Sequence, residues 1–399
     1  MPAQSQAKDR TYLRTHPWID FQLDLRETSP RLWMLLGEAQ AKCSHIAGSP
    51  LLPEIGQEFR QIYLAKGVRA TTAIEGNTLT EEEVRRRVEG ERDLPPSREY
   101  LGQEVDNIIE ACNLIADQVL ASDPPDLCVE TLDQYNALVL KNLPLEDDIV
   151  PGEIRRLSVG VGRYRGAPAE DCEYLVQRLC EWLSVGFQAP SGLEYFQLAF
   201  TILKAVVAHL YIAWIHPFGD GNGRTARLLE FRILLAAGVP DTAAHLLSDH
   251  YNQTRTEYYR HLDRSHSVDG GDIYGFLEYA LQGMVDGLEE ELELIKGQQL
   301  RVHWRNYVYD VFRDSTSRTD ERRRRLVLDL SDVPVPISVG ELRHISPRVA
   351  ELYAGKSDKT LSRDVDLLRD MGLIVRTEKG VRANRELAQA FLPRTHSSS

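Results

Sequence analysis

The sequence predicts an all-α body with one small β-hairpin, followed by a C-terminal winged helix-turn-helix domain. Apolar residues recur at helical spacing through most of residues 31–297. A single stretch, residues 157–168, alternates valine and glycine around a turn, which is typical of a short hairpin. Residues 337–383 then predict three short helices and two short strands, which is the order of elements in a winged helix.

The helices of the body are delimited by capping and stop residues. The helix from Thr80 to Gly90 is the clearest case, because Thr80 is a good N-cap and Gly90 is a typical C-terminal stop. His16, in a His-Pro-Trp motif before the first long helix, is interpreted as a packing residue. The predicted helices of the body span residues 31–47, 54–75, 80–90, 98–121, 129–141, 169–185, 201–215, 225–237, 248–263 and 272–297.

The C-terminal domain is predicted from capping and spacing. Residues 339–343 and 347–353 predict its first two helices, Ser357 and Asp358 cap a third, and residues 374–381 form the wing. The third helix offers basic and polar side chains to a nucleic-acid groove: Lys359, Thr360, Ser362, Arg363 and Arg369. Four aspartates oppose binding to phosphates: Asp358, Asp364, Asp366 and Asp370. Both DNA binding and docking of a protein therefore remain open.

The chain is predicted to have four parts. These are an N-terminal helical region with an inhibitory helix (1–97), a catalytic core (98–300), a helical linker (301–330) and the winged-helix domain (331–399). Four consecutive arginines within residues 314–325 either contact nucleic acid or are solvated, and solvation is the preferred interpretation.

Composition restricts the classes of function. The net charge is −13, but residues 301–399 contain 19 Lys and Arg against 14 Asp and Glu. The acidic body therefore disfavours nonspecific binding of nucleic acid, whereas the basic tail permits it. The longest apolar run, near residue 210, is interrupted by His209 and is expected to be too short to cross a membrane. The five cysteines include no CxxC pair, and no apolar signal region is visible, so we expect a cytoplasmic protein.

The most informative segment is residues 216–224, which read His-Pro-Phe-Gly-Asp-Gly-Asn-Gly-Arg. The segment lies between two apolar helical runs, so it predicts a tight loop between buried helices. A glycine-rich loop that enters a helix N-terminus presents backbone N–H groups to an anion. Gly221, Asn222 and Gly223 are therefore placed to surround phosphate oxygens.

Charged side chains in the same segment fit the chemistry of nucleotide transfer. Arg224 and Arg227, three residues apart on the following helix, are placed to bind phosphates. Asp220 is a hard oxygen ligand, suited to Mg²⁺ that is held mainly by phosphates and water. His216, with an ordinary pKa near neutrality, is suited to act as a general base. The alternative is a helix–loop–helix corner with a capping aspartate and surface arginines.

This segment resembles the signature of the Fic family, His-Pro-Phe-x-Asp/Glu-Gly-Asn-Gly/Lys-Arg, at every fixed position. The resemblance implies a Fic-type helical core and an enzyme that transfers AMP from ATP to a Ser, Thr or Tyr hydroxyl of a target protein. It implies that His216 is the general base, that Asp220 holds Mg²⁺ and that Phe218 anchors the loop. It also implies that Asn222 and its glycines form the anion hole and that Arg224 contacts the phosphates.

Gly223 indicates which group is transferred. Some members of the family carry Lys at this position and transfer a phosphate, so Gly223 favours transfer of AMP. Other nucleotide donors remain open. Many relatives form dimers and often modify themselves, so the resemblance also implies a homodimer and self-labelling.

A second segment, residues 71–77, reads Thr-Thr-Ala-Ile-Glu-Gly-Asn and resembles the family's inhibitory helix motif, Ser/Thr-x-x-x-Glu-Gly/Asn. The resemblance implies that Glu75 pairs with Arg227, blocks the γ-phosphate pocket and repels ATP. In some relatives the same glutamate supports removal of AMP, and this possibility stays open for Glu75. The segment also fits an ordinary helix C-cap.

The predicted hairpin resembles the family's flap, which lies over the nucleotide and pairs with an extended segment of the target by strand addition. It follows residues 151–155, Pro-Gly-Glu-Ile-Arg. The flap residues implied to contact ATP are Val159, Gly160, Val161 and Gly162. Tyr258 and Tyr259 resemble a tyrosine pair beside the nucleotide. The alternatives are an ordinary surface hairpin and a buried tyrosine with a hydroxyl partner.

Three functions are compatible with these patterns. The preferred one is a self-inhibited protein adenylyltransferase with ATP and Mg²⁺, because the base and the acid of the signature are both present. The alternative is a nucleotide-sensing, DNA-binding transcriptional regulator. The third is a phosphotransferase or hydrolase on the same scaffold.

Overall fold

The computed structural model describes residues 10–388, except residues 27, 122–125, 162–163, 268–270 and 316. The chain divides into two compact units, Met1–Leu292 and Glu293–Ser399. Both units are mainly α-helical, and the described part of each contains a two-stranded antiparallel sheet. The four-part division expected from the sequence stays a prediction.

The first unit contains helices α1 to α11, strands β1 and β2, and the start of helix α12. Most helix ends lie within two residues of the predicted ones. The helices are α1 (Tyr12–Thr15), α2 (Pro30–Ala47), α3 (Pro53–Ala73), α4 (Glu81–Val88), α5 (Glu99–Leu120), α6 (Val129–Val139), α7 (Ala169–Val185), α8 (Gln197–Ile215), α9 (Asn222–Ala236), α10 (Leu246–Gln253), α11 (Arg255–Arg264) and α12 (Ile273–Val311). The strands are β1 (Gly160–Val161) and β2 (Tyr164–Arg165).

Helix α8 is the core helix of the first unit. It packs on α2, α7 and α9, and it is apolar on almost every face, as a helix buried all round requires. The expectation that this run is too short for a membrane span was wrong, because Glu194–Ile215 is long and apolar enough by length and composition, with a mean hydropathy of 1.8. However, 72% of that window is buried inside the fold, as in the core helix of a globular protein.

Four predictions of helix extent differ from the structure. Helix α8 begins at Gln197 rather than at residue 201. Helix α9 begins at Asn222 rather than at residue 225, because Gly221 adopts a φ of 76° at the N-cap and the helix starts directly after it. The predicted helix 248–263 is interrupted at Thr254, whose hydroxyl donates to the carbonyl of His250 at 2.7 Å. Helix α12 continues to Val311, well beyond the predicted end.

The expected caps of α4 are confirmed. Thr80 accepts from the main chain of Glu83, whose carboxylate accepts in return from the main chain of Thr80, forming a capping box. Gly90 has a φ of 92° and follows the end of the helix.

The second unit contains three further helices and a hairpin. These are α13 (Arg318–Ser331), α14 (Pro347–Tyr353), α15 (Asp358–Asp370), β3 (Ile374–Thr377) and β4 (Gly380–Ala383). The predicted first helix, residues 339–343, is instead a short 3₁₀ turn, Glu341–His344. Leu326, Val365 and Val381 lie in the buried core of this unit. The other elements lie where the sequence predicts them, and the assignment as a winged helix stays a prediction.

Asp364 lies in the core of the second unit, not on the surface predicted for DNA. It is fully buried and accepts from Arg322 at 2.8 Å, from Arg323 at 2.7 Å and from the hydroxyl of Tyr353 at 3.1 Å. Arg322 and Arg323, two of the four consecutive arginines, therefore bind a buried carboxylate inside the fold. For these two residues, the expectations of solvation and of contact with nucleic acid were both wrong.

Candidate functional site

A pocket of about 900 Å³ lies beside the loop that joins α8 to α9. Most of the residues singled out in the sequence line it: Glu75, Val159, Gly160, His216, Asp220, Gly221, Asn222, Gly223, Tyr258 and Tyr259. Arg224 and Arg227 are buried and are not among the described lining residues. Val161 is described here only by its main chain, which pairs with Tyr164, and Gly162 lies outside the described residues.

His216 lies at the C-terminal end of α8 in a left-handed conformation, with φ 51° and ψ 59°. Its main-chain N–H donates to the carbonyl of Ile212 at 2.9 Å, and its own carbonyl accepts from Arg155 at 2.7 Å. Burial lowers the pKa of His216 to about 4, and the positive charge of Arg155 acts in the same direction. The imidazole is therefore neutral and able to accept a proton at neutral pH, and the expectation of a pKa near neutrality was wrong.

Asn222 holds the loop together with its side chain. Its Oδ1 accepts from the main-chain N–H of Phe218, and its Nδ2 donates to the carbonyl of Phe218, both at 2.9 Å. Phe218 is itself buried and forms a β-bridge with Ile154. The side chain of Asn222 is therefore not free to bind phosphates, and its contribution to an anion hole is confined to its main-chain N–H.

The start of α9 supplies N–H groups for an anion. The first N–H groups of a helix have no carbonyl four residues earlier within the helix, and here they belong to Asn222, Gly223 and Arg224. Asn136, a fully buried residue of α6, fixes the position of this helix start. Its Nδ2 donates to the carbonyl of Asp220 at 2.9 Å. Sequence reasoning missed Asn136, because an asparagine within a helical pattern carries no signal of its own.

Asp220 offers a single carboxylate to a cation. Its side chain is 47% exposed, and its Oδ1 accepts from the N–H of Gly221 at 2.5 Å and from Arg224 at 3.3 Å. Among the described residues, no group of three or more His, Cys, Asp or Glu side chains is arranged to hold a metal ion. Asp220 therefore fits Mg²⁺ only if most ligands come from phosphates and water.

Both arginines of the signature helix have unused donors. In the described part of the chain, Nε and Nη1 of Arg224 and of Arg227 are buried without a hydrogen-bond partner. Arg224 also lies 3.8 Å from a carboxylate oxygen of Glu104. Buried donors without acceptors are unfavourable, and guanidinium groups match phosphate oxygens well. These donors therefore fit an anionic ligand such as a nucleoside triphosphate.

Glu75 follows the end of α3 and binds Arg227. Its Oε1 accepts from Nη2 of Arg227 at 2.5 Å, and the same Nη2 donates to the carbonyl of Thr71 at 3.0 Å. A cation at the C-terminal end of a helix is favoured by the helix dipole. Burial raises the pKa of Glu75, but the charge and hydrogen bond of Arg227 outweigh burial and hold that pKa below its ordinary value. The glutamate is therefore ionised at neutral pH.

The carboxylate of Glu75 also lies against the start of α9. A β-carbon on Gly223 would collide with Oε1 of Glu75. Helix α11 contacts the same end of α3, because the hydroxyl of Tyr259 donates to the carbonyl of Ile74 at 3.4 Å. Asn77 fixes the chain beyond Glu75 by donating to the carbonyl of Leu101 at 2.9 Å. Glu75 is thus held at the anion-binding end of the pocket from both sides.

The sequence offered two interpretations of Tyr258: a residue beside the nucleotide, and a buried tyrosine with a hydroxyl partner. It lines the pocket, but its side chain is only 3% exposed and its hydroxyl pairs with Nε2 of His209 at 2.9 Å. It is therefore a buried tyrosine with a polar partner, as well as part of the pocket wall.

Two side chains for which the sequence predicted no functional role contact the hairpin or its ends: Arg155 and His16. Arg155 donates to the carbonyls of His216 and Leu157, each at 2.7 Å. His16 pairs through Nε2 with the carbonyl of Arg165 at 2.9 Å, so it contacts the flap and is not merely a packing residue. The His-Pro-Trp and Pro-Gly-Glu-Ile-Arg motifs marked these positions, but the long-range contacts become visible only in the fold.

The chain is similar to proteins of one known family. Residues 126–234 match the model of the Fic/DOC family, and this range includes the whole loop between α8 and α9. The chain is 28% identical over 236 residues to protein adenylyltransferase fic-1 of Caenorhabditis elegans and 29% identical over 236 residues to protein adenylyltransferase Fic of Drosophila melanogaster. Each match covers 59% of this chain and 42% of the relative, so the chain spans less than half the length of these curated relatives.

Solved structures show the same fold. A Fic family protein from Desulfovibrio desulfuricans superposes with a TM-score of 0.53 at 21% identity, covering 88% of this chain and 92% of that one. A fragment of Fic-1 from C. elegans gives a TM-score of 0.53 at 24% identity, covering 67% of this chain and 73% of that one. At these identities the likeness extends to the helical fold with its small antiparallel strand pair.

Proposed function

We propose that this chain, which carries a Fic domain over residues 126–234, is a self-inhibited protein adenylyltransferase. It transfers AMP from ATP to a Ser, Thr or Tyr hydroxyl of a target protein, or of itself, and releases pyrophosphate. One observation carries the proposal: a single pocket is lined by the neutral base His216, the carboxylate Asp220 and the first turn of α9. The curated relatives named protein adenylyltransferase support it.

The residues of the pocket divide the reaction among them. The imidazole of His216 accepts the proton of the attacking hydroxyl as its oxygen bonds to the α-phosphorus. The bond from that phosphorus to the pyrophosphate oxygen breaks, and the pyrophosphate leaves with the electron pair. The N–H groups at the start of α9 and the unused donors of Arg224 stabilise the charge on the phosphates. Mg²⁺, held by Asp220 and the phosphates, would neutralise further charge.

Inhibition is assigned to Glu75. The carboxylate lies against Gly223 and takes up Arg227, so it occupies space and a cation that the terminal phosphate of ATP needs. An ionised carboxylate at this position also repels the triphosphate. The target is proposed to add an extended strand to the flap, whose strand β1 pairs only with β2 in the described residues. We also propose removal of AMP, by water aligned on Glu75, as a second activity of the same site.

The deciding experiment uses three proteins: the unaltered chain, Glu75→Gly, and Glu75→Gly with His216→Ala. Each is incubated with Mg²⁺ and with ATP labelled either on the α- or on the γ-phosphate, and label on the protein is measured. We expect strong α-label on Glu75→Gly, weak label on the unaltered chain and none on the double variant. Label from γ-labelled ATP would instead identify a phosphotransferase. Loss of α-label from modified, unaltered chain after ATP is removed would show removal of AMP.

DNA binding by the second unit is kept as a separate, additional proposal. On α15, Lys359 and Arg363 are exposed and suited to phosphates. Arg343 and Arg369, by contrast, pair with Asp358 and Asp366. Few phosphate contacts predict a shallow dependence on salt, with a slope of log K against log salt of about −2 for two contacts. A gel shift with genomic fragments at several salt concentrations tests it, and no shift at low salt rejects the winged helix as a DNA-binding domain.

Three features of the cellular setting belong to the same proposal. We expect a homodimer, a cytoplasmic location and no membrane attachment. The five cysteines are all free, which supports a reducing compartment. Light scattering after size-exclusion chromatography tests the dimer, and cell fractionation tests the location.

A further inference from the structure

Arg155 is a buried cation that binds main-chain carbonyls from two distant parts of the chain. Its side chain donates to the carbonyls of His216 and Leu157, each at 2.7 Å, and also to the carbonyl of Ala167. A weaker contact to the carbonyl of Ile215 measures 3.5 Å. The residue is only 7% exposed.

Arg155 differs in its partners from four buried arginines that each have a carboxylate within 4.0 Å: Arg87, Arg224, Arg227 and Arg322. Buried arginines usually pair with a carboxylate, as Arg87 does with Asp106 at 2.9 Å. Within the described residues, no carboxylate lies within 4.0 Å of the guanidinium of Arg155. Burial lowers its pKa. The guanidinium is stabilised instead by main-chain carbonyls, including those of Ile215 and His216 at the C-terminal end of α8, where the helix dipole favours a cation.

The carbonyls that Arg155 binds belong to the two ends of the flap and to the residue proposed as the base. Leu157 and Ala167 flank the flap strands, and His216 carries the proposed base. His216 has a positive φ of 51°, which is unfavourable for a residue with a side chain and persists only where surrounding contacts enforce it. The approach is close, because a β-carbon on Gly166 would lie 2.8 Å from Cβ of His216 and 2.9 Å from Nη2 of Arg155.

We propose that Arg155 is a positioning residue whose guanidinium holds the backbone of His216 and both ends of the flap at a fixed distance from each other. The base and the strand that receives the target are thereby kept in one geometry while nucleotide and target bind. This inference rests on the proposed function. It assigns Arg155 no contact with ATP, so its effect is expected on the rate of transfer rather than on nucleotide affinity.

His16 provides a comparison from the other side of the flap. It contacts the carbonyl of Arg165 on β2, but none of its hydrogen bonds in the structure involves His216. Arg87 of α4 provides a comparison for burial, since it is 6% exposed and donates to Asp106 and Glu99 of α5. Arg155→Gln tests positioning of the base, and His16→Gln tests attachment of the flap. Arg87→Lys is matched to Arg155→Lys and tests the loss of guanidinium hydrogen bonds at a buried site.

The experiment places each substitution in the Glu75→Gly protein and measures self-labelling at saturating α-labelled ATP, together with ATP affinity by calorimetry. We expect Arg155→Gln to reduce the labelling rate at least about 30-fold while ATP affinity changes less than about threefold. Arg155→Lys, which keeps one donor, should recover part of the rate and guards against a failure of Arg155→Gln to fold. Arg87→Lys should keep the labelling rate per folded molecule.

Two results would overturn the inference: a labelling rate of both Arg155 variants within threefold of the parent, or a loss that follows ATP affinity. If the Glu75→Gly parent itself transfers no AMP, the proposed function fails. Hydrogen exchange then tests the positioning role of Arg155 without a measurement of activity. The N–H groups of Gly166 and Ala167, which donate to Val159 and Ile215, should exchange at least about tenfold faster in Arg155→Lys. They should be unchanged in Arg87→Lys. Equal exchange in parent and Arg155→Lys would reject the role.

Discussion

The side-chain amide of Asn222 is bonded in both directions to the main chain of Phe218, at 2.9 Å each way. The asparagine of the signature is therefore a brace for the loop that carries Asp220 and ends in α9. This relationship separates two kinds of signature residue: those that shape the loop and those that are proposed to contact the nucleotide.

Asn222→Ala is expected to destabilise the fold, because it removes two hydrogen bonds and leaves a buried N–H and a buried carbonyl of Phe218 without partners. The expected loss in free energy of unfolding is about 2–4 kcal/mol, measured by urea denaturation. Asp220→Ala is the comparison: its side chain is half-exposed but accepts from buried Arg224, so we expect a smaller change of about 1 kcal/mol, together with loss of labelling. Equal stability of the two variants would contradict the brace.

Glu75→Gln separates charge from volume in the inhibitory contact. The amide has nearly the same size but no longer neutralises Arg227 or repels phosphates, so ATP affinity should rise about tenfold, or 1.4 kcal/mol. Calorimetric titration with ATP measures this. Glu82→Gln on the exposed face of α4, where Glu82 pairs with Arg85, makes the same change of charge and should leave the affinity unaltered. If Glu75→Gln binds ATP no better than the unaltered chain while Glu75→Gly does, inhibition is steric.

The pH dependence of transfer should reflect the lowered pKa of His216. The neutral imidazole is the active form, so activity falls only as the pH drops through a pKa of about 4, and it stays level from about pH 5.5 upward. In Glu75→Gly the acidic limit should lie lower still, because the negative charge of Glu75 raises the pKa of His216. The profile of kcat/KM for self-labelling of that variant tests this. An acidic limit near 6.5 would mean that His216 is solvated.

Mg²⁺ should bind only together with nucleotide. Asp220 offers one carboxylate, and the described residues supply no further acidic or imidazole cluster beside it. Calorimetric titration of Mg²⁺ into Glu75→Gly should therefore give no heat of binding without nucleotide and clear binding with a non-hydrolysable ATP analogue. Submillimolar binding of Mg²⁺ without nucleotide would point to ligands other than Asp220 and phosphates.

The sequence was sufficient to predict the helical body, the hairpin, the loop between α8 and α9 and the pairing of Glu75 with Arg227. The first three depend on local capping, periodicity or a short motif, whereas the pairing of Glu75 with Arg227, 152 residues apart, was implied only by the resemblance to the Fic family. The direction in which Asn222 turns, the roles of Asn136 and Arg155 and the contact of His16 were not predictable. The contacts of Asn136, Arg155 and His16 join residues far apart in the chain, and short patterns do not encode them. The partner of Asn222 lies within the same loop, but the motif does not say which way its side chain turns. The burial of Asp364 was missed for a similar reason, because a polar residue on a helix reads as exposed until its partners, Arg322 and Arg323, are known.

The contacts of Arg227 have one more consequence. Its guanidinium binds both Glu75 and, through the carbonyl of Thr71, the last turn of α3, so under the proposed function ATP and the end of α3 compete for one cation. Competition of this kind is reciprocal. The free energy by which the contact of α3 with Arg227 weakens ATP binding equals the free energy by which bound ATP weakens that contact. Under the proposed function, the ATP concentration that half-saturates the site therefore also measures how firmly the end of α3 is held. The contacts of Asn77 and Tyr259 on either side of this segment are expected to raise that concentration.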